Sequence, residues 1–167
     1  DGDLYFDIQS GDPGLMNLPL PLSQAISVFK ERGGDPDRTG KRHPLDALLW
    51  RRSNSGEPEW STPFGAGRPG WHIECVALAL SYLPASNNSS ITLQGGGADL
   101  IFPHHYMSAI QARALNNKPF ASIYAHCGMI GLDGEKMSKS RGNLVFVSKL
   151  LQAGHQPEAI RMALLSQ

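Results

Sequence analysis

The sequence has few cysteines, no excess of either charge and no long apolar run, and each shortage excludes a class of protein. The two cysteines, Cys75 and Cys127, do not make a disulfide framework, so we expect a reducing, cytoplasmic environment. Lys plus Arg and Asp plus Glu number 15 each, and this formal net charge of zero gives no general attraction to nucleic acid or to anionic membranes. No apolar run approaches the ~20 residues of a membrane span, and residues 1–3 lack the basic start of a signal peptide.

The pattern of apolar residues predicts an α/β fold. Short apolar runs predict strands at residues 4–8, 90–93 and 122–132. Apolar residues at helical spacing predict helices at residues 23–33, 43–52, 71–83, 103–116, 147–153 and 157–165. Ser23 is the expected N-cap of the first helix. A strand, a helix and a second strand, with glycines closing the first strand, are typical of a right-handed crossover in a parallel sheet.

The most informative stretch is residues 128–143, where an apolar run stops at the turn signal Asp133-Gly134. Lys136, Lys139 and Arg141 follow, two or three residues apart, among serines and glycines. Such a loop can fold over a polyphosphate, with ammonium groups, hydroxyls and backbone N–H groups as donors. The alternative is a solvated basic loop, which is the commoner meaning of three clustered cations.

A helical cysteine and a later histidine form a candidate metal site. Trp71 and Cys75 are four residues apart in a predicted helix and therefore share a face. A lone helical cysteine is most often a small buried hydrophobe. His104 or His105 could join Cys75 as a zinc ligand, although this spacing differs from that of zinc fingers and two ligands do not complete a site.

The glycine run at residues 95–97 follows one predicted strand and precedes a helix. Glycines at such a place either let a ligand approach the backbone or make a tight turn. Their spacing differs from the Gly-x-Gly-x-x-Gly pattern, so a dinucleotide site is not predicted. Asp99 could accept a ribose hydroxyl or an ammonium group, or it could cap the next helix.

Three blocks, in order, carry a family resemblance: residues 67–75, 94–105 and 136–143. The third begins Lys-Met-Ser-Lys-Ser, which resembles the mobile ATP loop of class I aminoacyl-tRNA synthetases. Together the blocks resemble the second half of the catalytic domain of the cysteinyl-tRNA synthetase family. That family includes paralogous ligases that join cysteine to glucosaminyl-inositol in mycothiol biosynthesis.

The resemblance implies the second half of a class I Rossmann catalytic domain, built on a parallel sheet. Residues 1–42 would be the remainder of a connective insertion. Residues 43–135 would be the second half of the Rossmann domain. Residues 136–167 would hold the ATP loop and the start of a helical domain.

The resemblance also implies chemistry: ATP, with Mg²⁺, and cysteine form cysteinyl-adenylate, and Zn²⁺ grips the cysteine thiol. Carried over by position, Cys75 and His104 would be zinc ligands. Lys136 and Lys139 would act on the phosphates as catalytic residues. The residues that would line the adenylate are Trp71, Gly97, Ala98, Asp99 and Ile130, the last through its backbone at the adenine.

The chain departs from the family pattern in several places. The His-x-Gly-His signature of the first Rossmann half, and the zinc-binding cysteine before it, do not occur in the sequence. The chain therefore resembles the middle of a longer enzyme, and alone we expect it to be inactive. Further departures from the family's usual residues are Val76, Ala98, Tyr106 and Cys127.

Two features favour the ligase branch of the family. Residues 31–36, Glu-Arg-Gly-Gly-Asp-Pro, match a ligase signature, and residues 44–50 are also ligase-like. Ser108 stands where the synthetases carry a glutamate as a fourth zinc ligand. We expect a monomer that uses cysteine, ATP and glucosaminyl-inositol, without a membrane partner or tRNA. The alternatives are a cysteinyl-tRNA synthetase and a non-catalytic module that binds zinc or nucleotide.

Overall fold

The computed structural model of the chain describes residues 2–10, 18–84 and 88–166, with the backbone alone at Lys136. These residues form two compact units. The first comprises Asp1–Gly95 and Leu100–Ala125, and the second comprises Gly96–Asp99 and His126–Gln167. The three-part division expected from the family resemblance stays a prediction.

The first unit contains a three-stranded antiparallel sheet. Its strands are β1 (Leu4–Phe6), β2 (Ala47–Arg52) and β3 (Gly67–Pro69), in the order β1-β2-β3. The predicted helix over residues 43–52 is therefore wrong. Its apolar residues fit helical spacing, but a run this short has no unique period. Pairing with a strand on each side decides the conformation: Trp50 lies opposite both Leu4 and Pro69.

A buried carboxylate fixes the turn that leads into β2. Asp46 is only 2% exposed. One of its oxygens accepts a hydrogen bond from the backbone N–H of Ile8 at 3.0 Å, and the other accepts from those of Arg42 and His43 at 3.0 and 2.9 Å. Because three backbone donors converge on one carboxylate, Asp46 joins the end of β1 to the start of β2.

Helix α1 (Leu22–Glu31) packs its apolar stripe on the first core of this unit. The N-cap residue of the helix is Pro21, so the predicted N-cap at Ser23 is two residues too late. Ala25 and Phe29 are its buried residues. The other members of this core are Ile8, Leu45, Ala47, Phe102, Met107 and Ile110.

The predicted strand–helix–strand arrangement follows along the chain. Helix α2 (Trp71–Tyr82) is followed by β4 (Ile91–Gly97), short helical turns at Ala98–Leu100 and Ile101–His105, helix α3 (Tyr106–Asn116) and β5 (Ala121–Cys127). β4 and β5 form a two-stranded sheet. The N–H of Ile91 donates to the carbonyl of Phe120 at 2.8 Å, so the two strands begin at the same end and run parallel, as predicted.

A second apolar core supports this parallel pair. Its buried members are Val76, Ile91, Ala112, Phe120 and Ala121. They come from α2, α3, both strands and the residue directly before β5. The core therefore ties the two helices to the sheet.

The second unit contains a hairpin and two helices. β6 (Gly131–Leu132) pairs with β7 (Glu135–Lys136) through Asp133 and Gly134, whose φ angles are 53° and 77°. Positive φ at both central residues characterises the tight turns of two-residue hairpins, so the predicted turn is confirmed. The predicted strand over residues 122–132 is divided between β5 and β6. Helices α4 (Val147–Gln152) and α5 (Pro157–Leu165) follow as predicted. Within the described residues, no helix is long and apolar enough to cross a membrane.

Candidate zinc and nucleotide sites

The N-terminal end of α2 presents three side chains of the first candidate site. Trp71, His72 and Cys75 lie within five residues, and residues three and four apart in a helix share a face. His72 is buried, Cys75 is half-buried and Trp71 is 47% exposed. Gly70 precedes them with an extended backbone, and its N–H donates to the carbonyl of Leu49 at 2.9 Å. This bond fixes the start of α2 against β2.

His104 lies against this end of α2. Its ring stacks on the indole of Trp71, with centroids 4.3 Å apart and planes 15° from parallel. Its Nδ1 atom is 2.9 Å from Nδ1 of His72. Both imidazoles are only 7% exposed. His105, the alternative candidate ligand, is also buried, but the contact with Trp71 is made by His104.

Burial keeps both imidazoles neutral at neutral pH. Burial, with an added contribution from the neighbouring His104, lowers the pKa of His72 to about 3. Burial also lowers the pKa of His104. Between two neutral rings, one Nδ1 must carry the proton and donate while the other accepts. The His72–His104 contact is therefore one hydrogen bond, and the tautomers of the two rings decide which of them donates.

Cys75 follows Trp71 by one helical turn. Burial raises the pKa of its thiol, and the neighbouring carboxylate of Glu74 adds to this effect. A metal would have to displace the thiol proton before binding sulfur. The described residues contain no group of three or more His, Cys, Asp or Glu side chains placed to hold a metal ion.

The donor types at this end of α2 nevertheless fit zinc. A cysteine sulfur and an imidazole nitrogen are ordinary zinc ligands. The Nδ1 atom of His104 is engaged by His72, which leaves Nε2 as the free ring nitrogen. Cys75 and His104 can thus be two ligands of a set that needs at least a third. Ser108, fully buried in α3, offers no carboxylate.

Sequence reasoning assigned no role to His72, although a signal was present. His72 precedes Cys75 by three residues, so a helix places the two on one face. Nothing in the spacing alone pairs it with a histidine 32 residues later. That pairing depends on how α2 packs against the turn at Ile101–His105.

The second unit holds the other candidate residues near the end of β4. A Cβ atom on Gly97 would lie 2.6 Å from Oδ1 of Asp99 and 3.2 Å from Sδ of Met129. Residue 97 is therefore closely covered by a carboxylate and a thioether, and glycine avoids that overlap. Ala98 and Asp99 begin the short helical turn Ala98–Leu100. The N-cap residue of helix α3 is His105, so Asp99 does not occupy the N-cap position of that helix.

The basic loop of the second unit is closed by its own side chains. The N–H of Ser138 donates to Oδ1 of Asn143 at 2.9 Å, and the N–H of Arg141 donates to Oγ of Ser138 at 3.3 Å. The guanidinium of Arg141 pairs with the carboxylate of Glu135. Lys139 is exposed, and no described residue bonds its side chain. The side chain of Lys136 lies outside the described part of the chain.

Ile130 lies just before β6 and lines an apolar cavity of about 340 Å³ within the second unit. The cavity is open to one side and is lined by residues of the hairpin, the basic loop and the two helices that follow it. Other lining residues are Met137, Val145, Val147, Leu150 and Ile160. The predicted backbone contact of Ile130 with adenine stays a prediction.

The departures from the family pattern have different packing roles. Val76 is fully buried in the second core, where a serine hydroxyl would need a partner. Tyr106 packs its ring 5.7 Å from that of Phe102, and burial raises the pKa of its phenol. Cys127 is exposed, with Sγ 3.5 Å from the carbonyl oxygen of Gly96.

The family model described as the catalytic domain of class I tRNA synthetases (C) matches residues 1–167. The chain belongs to this family. The family accounts for the parallel pair β4–β5 and for the basic loop after the hairpin. In this class I synthetase domain, the structure brings Trp71 and His104 together in the first unit, and Gly97 and Asp99 together in the second.

The chain is also similar to curated proteins. A protein from Kribbella flavida is 56% identical over 168 residues, which cover 99% of this chain and 40% of that protein. One from Rhodococcus erythropolis is 64% identical over 165 residues, which cover 98% of this chain and 39% of that protein. Both are named L-cysteine:1D-myo-inositol 2-amino-2-deoxy-alpha-D-glucopyranoside ligase. The chain thus spans about two-fifths of the length of these relatives.

Proposed function

We propose that the full-length protein is an ATP-dependent ligase that joins cysteine to glucosaminyl-inositol through a cysteinyl-adenylate. The observation that carries the proposal is the 64% identity, over 98% of this chain, to a protein named as that ligase. The exposed Trp71 beside His104 and the basic loop of the second unit support it, because each suits one substrate of the reaction.

The reaction has two steps that balance without a further reactant. A carboxylate oxygen of cysteine attacks the α-phosphorus of ATP, which enters with Mg²⁺, and pyrophosphate leaves. The amine of glucosaminyl-inositol then attacks the adenylate carbonyl. AMP leaves, the nitrogen loses a proton, and an amide bond forms.

We assign the recognition of cysteine to the first unit. Zn²⁺, when bound, stabilises a thiolate and accepts sulfur readily, which distinguishes cysteine from serine. Cys75 and His104 are the two ligands that this chain would contribute, and the remaining protein ligand would come from another part of the full-length polypeptide. The half-exposed indole of Trp71 offers an apolar wall beside them.

We assign the recognition of ATP to the second unit. Lys139 is exposed and suits the phosphates as a point charge, and Lys136 would act with it. Gly97, Ala98 and Asp99 would line the adenylate, and Ile130 would contact the adenine through its backbone. Arg141 is already paired with Glu135, so we assign it no role at the phosphates.

The balance of charge favours a small acceptor over tRNA. The formal net charge of this chain is zero, and its dense cation group at residues 136–141 is assigned to ATP. A polyanionic tRNA needs many Lys or Arg contacts to phosphates, whereas a small amino sugar needs a pocket with a few polar groups. A cytoplasmic monomer is part of this proposal.

A cysteinyl-tRNA synthetase is the second candidate, since the matching family model describes tRNA synthetases. The two are separated by supplying the full-length protein with ATP, labelled cysteine, tRNA and glucosaminyl-inositol together. We expect label in the sugar amide and none in tRNA. Label in tRNA with none in the amide would replace the ligase by the synthetase. Label in neither acceptor, with no pyrophosphate exchange, would favour a non-catalytic module.

A further inference from the structure

The contact between His72 and His104 carries an inference that deepens the proposed function and rests on it. The two Nδ1 atoms are 2.9 Å apart, and both rings are buried. An imidazole binds a metal through a nitrogen without a proton, and its other nitrogen then carries the proton and needs an acceptor. With Nδ1 of His104 facing His72, the nitrogen left for a metal is Nε2.

Metal binding through Nε2 of His104 would define which ring donates. If His104 offers an unprotonated Nε2, its Nδ1 carries the hydrogen, and Nδ1 of His72 is the acceptor. His72 must then hold its own hydrogen on Nε2. The opposite arrangement would place the hydrogen of His104 on Nε2 and block that nitrogen. The hydrogen bond therefore selects between a binding and a non-binding tautomer.

The neighbouring indole restricts the ring further. Trp71 stacks at 15° from parallel and fixes the plane of the His104 imidazole. The hydrogen bond to His72 then fixes the rotation of the ring within that plane. Both restraints come from the first turn of α2, the helix that also carries Cys75. The orientation of one candidate ligand is thus set by the helix that presents the other.

We propose that His72 is a positioning residue that holds His104 as its Nδ1-protonated tautomer, with Nε2 free to bind zinc. It touches neither substrate nor metal, and it acts only through His104. A side chain that accepts a hydrogen bond at the same distance from the backbone can replace it. An apolar side chain of similar size cannot.

Two substitutions in the full-length protein test this role. In His72→Asn, the amide oxygen can occupy the place of Nδ1 and accept the same hydrogen bond. In His72→Leu, a methyl group occupies that place, and His72→Ala replaces this variant should leucine prevent folding. Zinc affinity is measured by competition with a chelator, and the absorption spectrum of the Co²⁺-substituted protein reports the ligand set.

We expect zinc affinity to fall about 10–100-fold in His72→Leu or His72→Ala, as for other lost partners of metal-binding histidines. His72→Asn should stay within a few-fold of the wild type and keep its cobalt spectrum. Equal zinc affinity in all variants would overturn the inference, as would equal losses in the asparagine and apolar variants. The sugar-amide assay is a separate measurement. If the wild-type protein forms the amide and all variants keep its zinc affinity, only the role of His72 is refuted. If the apolar variants lose zinc but the wild-type protein forms no sugar amide, the role of His72 stands and only the proposed acceptor is refuted.

Discussion

A Cβ atom on Gly70 would overlap the carbonyl oxygen of Leu48. The start of α2 and the backbone of β2 are in contact because residue 70 has no side chain. Overpacking at a tight contact typically costs about 1–3 kcal/mol. We therefore expect Gly70→Ala to lower the free energy of unfolding of the full-length protein by about that amount, measured by chemical denaturation.

Gly95→Ala is the matched control for this substitution. A Cβ atom there would lie 3.8 Å from the carbonyl oxygen of Ala125, which is an ordinary contact. Its free energy of unfolding should change by less than about 0.5 kcal/mol. If the two alanine variants were equally stable, the close approach of β2 to α2 would be contradicted.

The buried carboxylate of Asp46 gives a second prediction. Asp46→Ala would leave the N–H groups of Ile8, Arg42 and His43 without their acceptor. A buried donor left without an acceptor costs about 1–3 kcal/mol, and this applies in full to Ile8, whereas water can reach the part-buried N–H groups of Arg42 and His43. We expect a loss of about 2–4 kcal/mol in the free energy of unfolding.

The comparison for Asp46 is an exposed aspartate. Asp37 forms an ion pair with Lys30 at 2.6 Å, and both side chains are largely exposed. Exposed pairs contribute about 0–1 kcal/mol, so Asp37→Ala should change the denaturation midpoint little. Equal effects of the two substitutions would show that the three backbone bonds to Asp46 do not stabilise the fold.

Much of the fold was predictable from local pattern. The helices at α2, α4 and α5 and the turn at Asp133-Gly134 each follow from a signal contained within the segment itself. The prediction of a helix over residues 43–52 failed because the conformation of this segment is not decided locally. Its conformation is set by pairing with β1 and β3, which are distant in sequence. The spacing of apolar residues within the segment does not indicate that pairing.

The candidate site divides in the same way. Trp71 and Cys75 could be placed on one face because a helix relates them directly. The stacking of Trp71 on His104, and the bond from His104 to His72, require the packing of α2 on a separate turn. The ion pair of Arg141 with Glu135 was not predicted either, because the sequence does not show that a strand, β7, ends before the basic loop and places Glu135 beside it.

The role of Cys75 gives a third prediction. Cys75→Ala in the full-length protein should remove bound zinc and cysteine-dependent pyrophosphate exchange together, since one ligand of the set is lost. Metal analysis and exchange are measured on the same preparation. Cys127→Ala is the control, because that thiol is exposed and should leave both unchanged. Full zinc occupancy in Cys75→Ala would remove Cys75 from the ligand set.

The last prediction concerns Lys139, whose exposed side chain has no bond to any described residue, whereas Arg141 is paired with Glu135. Negative charge grows on the leaving pyrophosphate during adenylation. A lysine there therefore stabilises the transition state, and it contributes less to the binding of cysteine. Lys139→Ala should slow pyrophosphate exchange about tenfold to a thousandfold and leave the KM for cysteine nearly unchanged. Lys118→Ala, another exposed lysine, should keep the wild-type rate. A raised KM for ATP at an unchanged maximal rate would instead mean that Lys139 binds the ground state and the transition state equally.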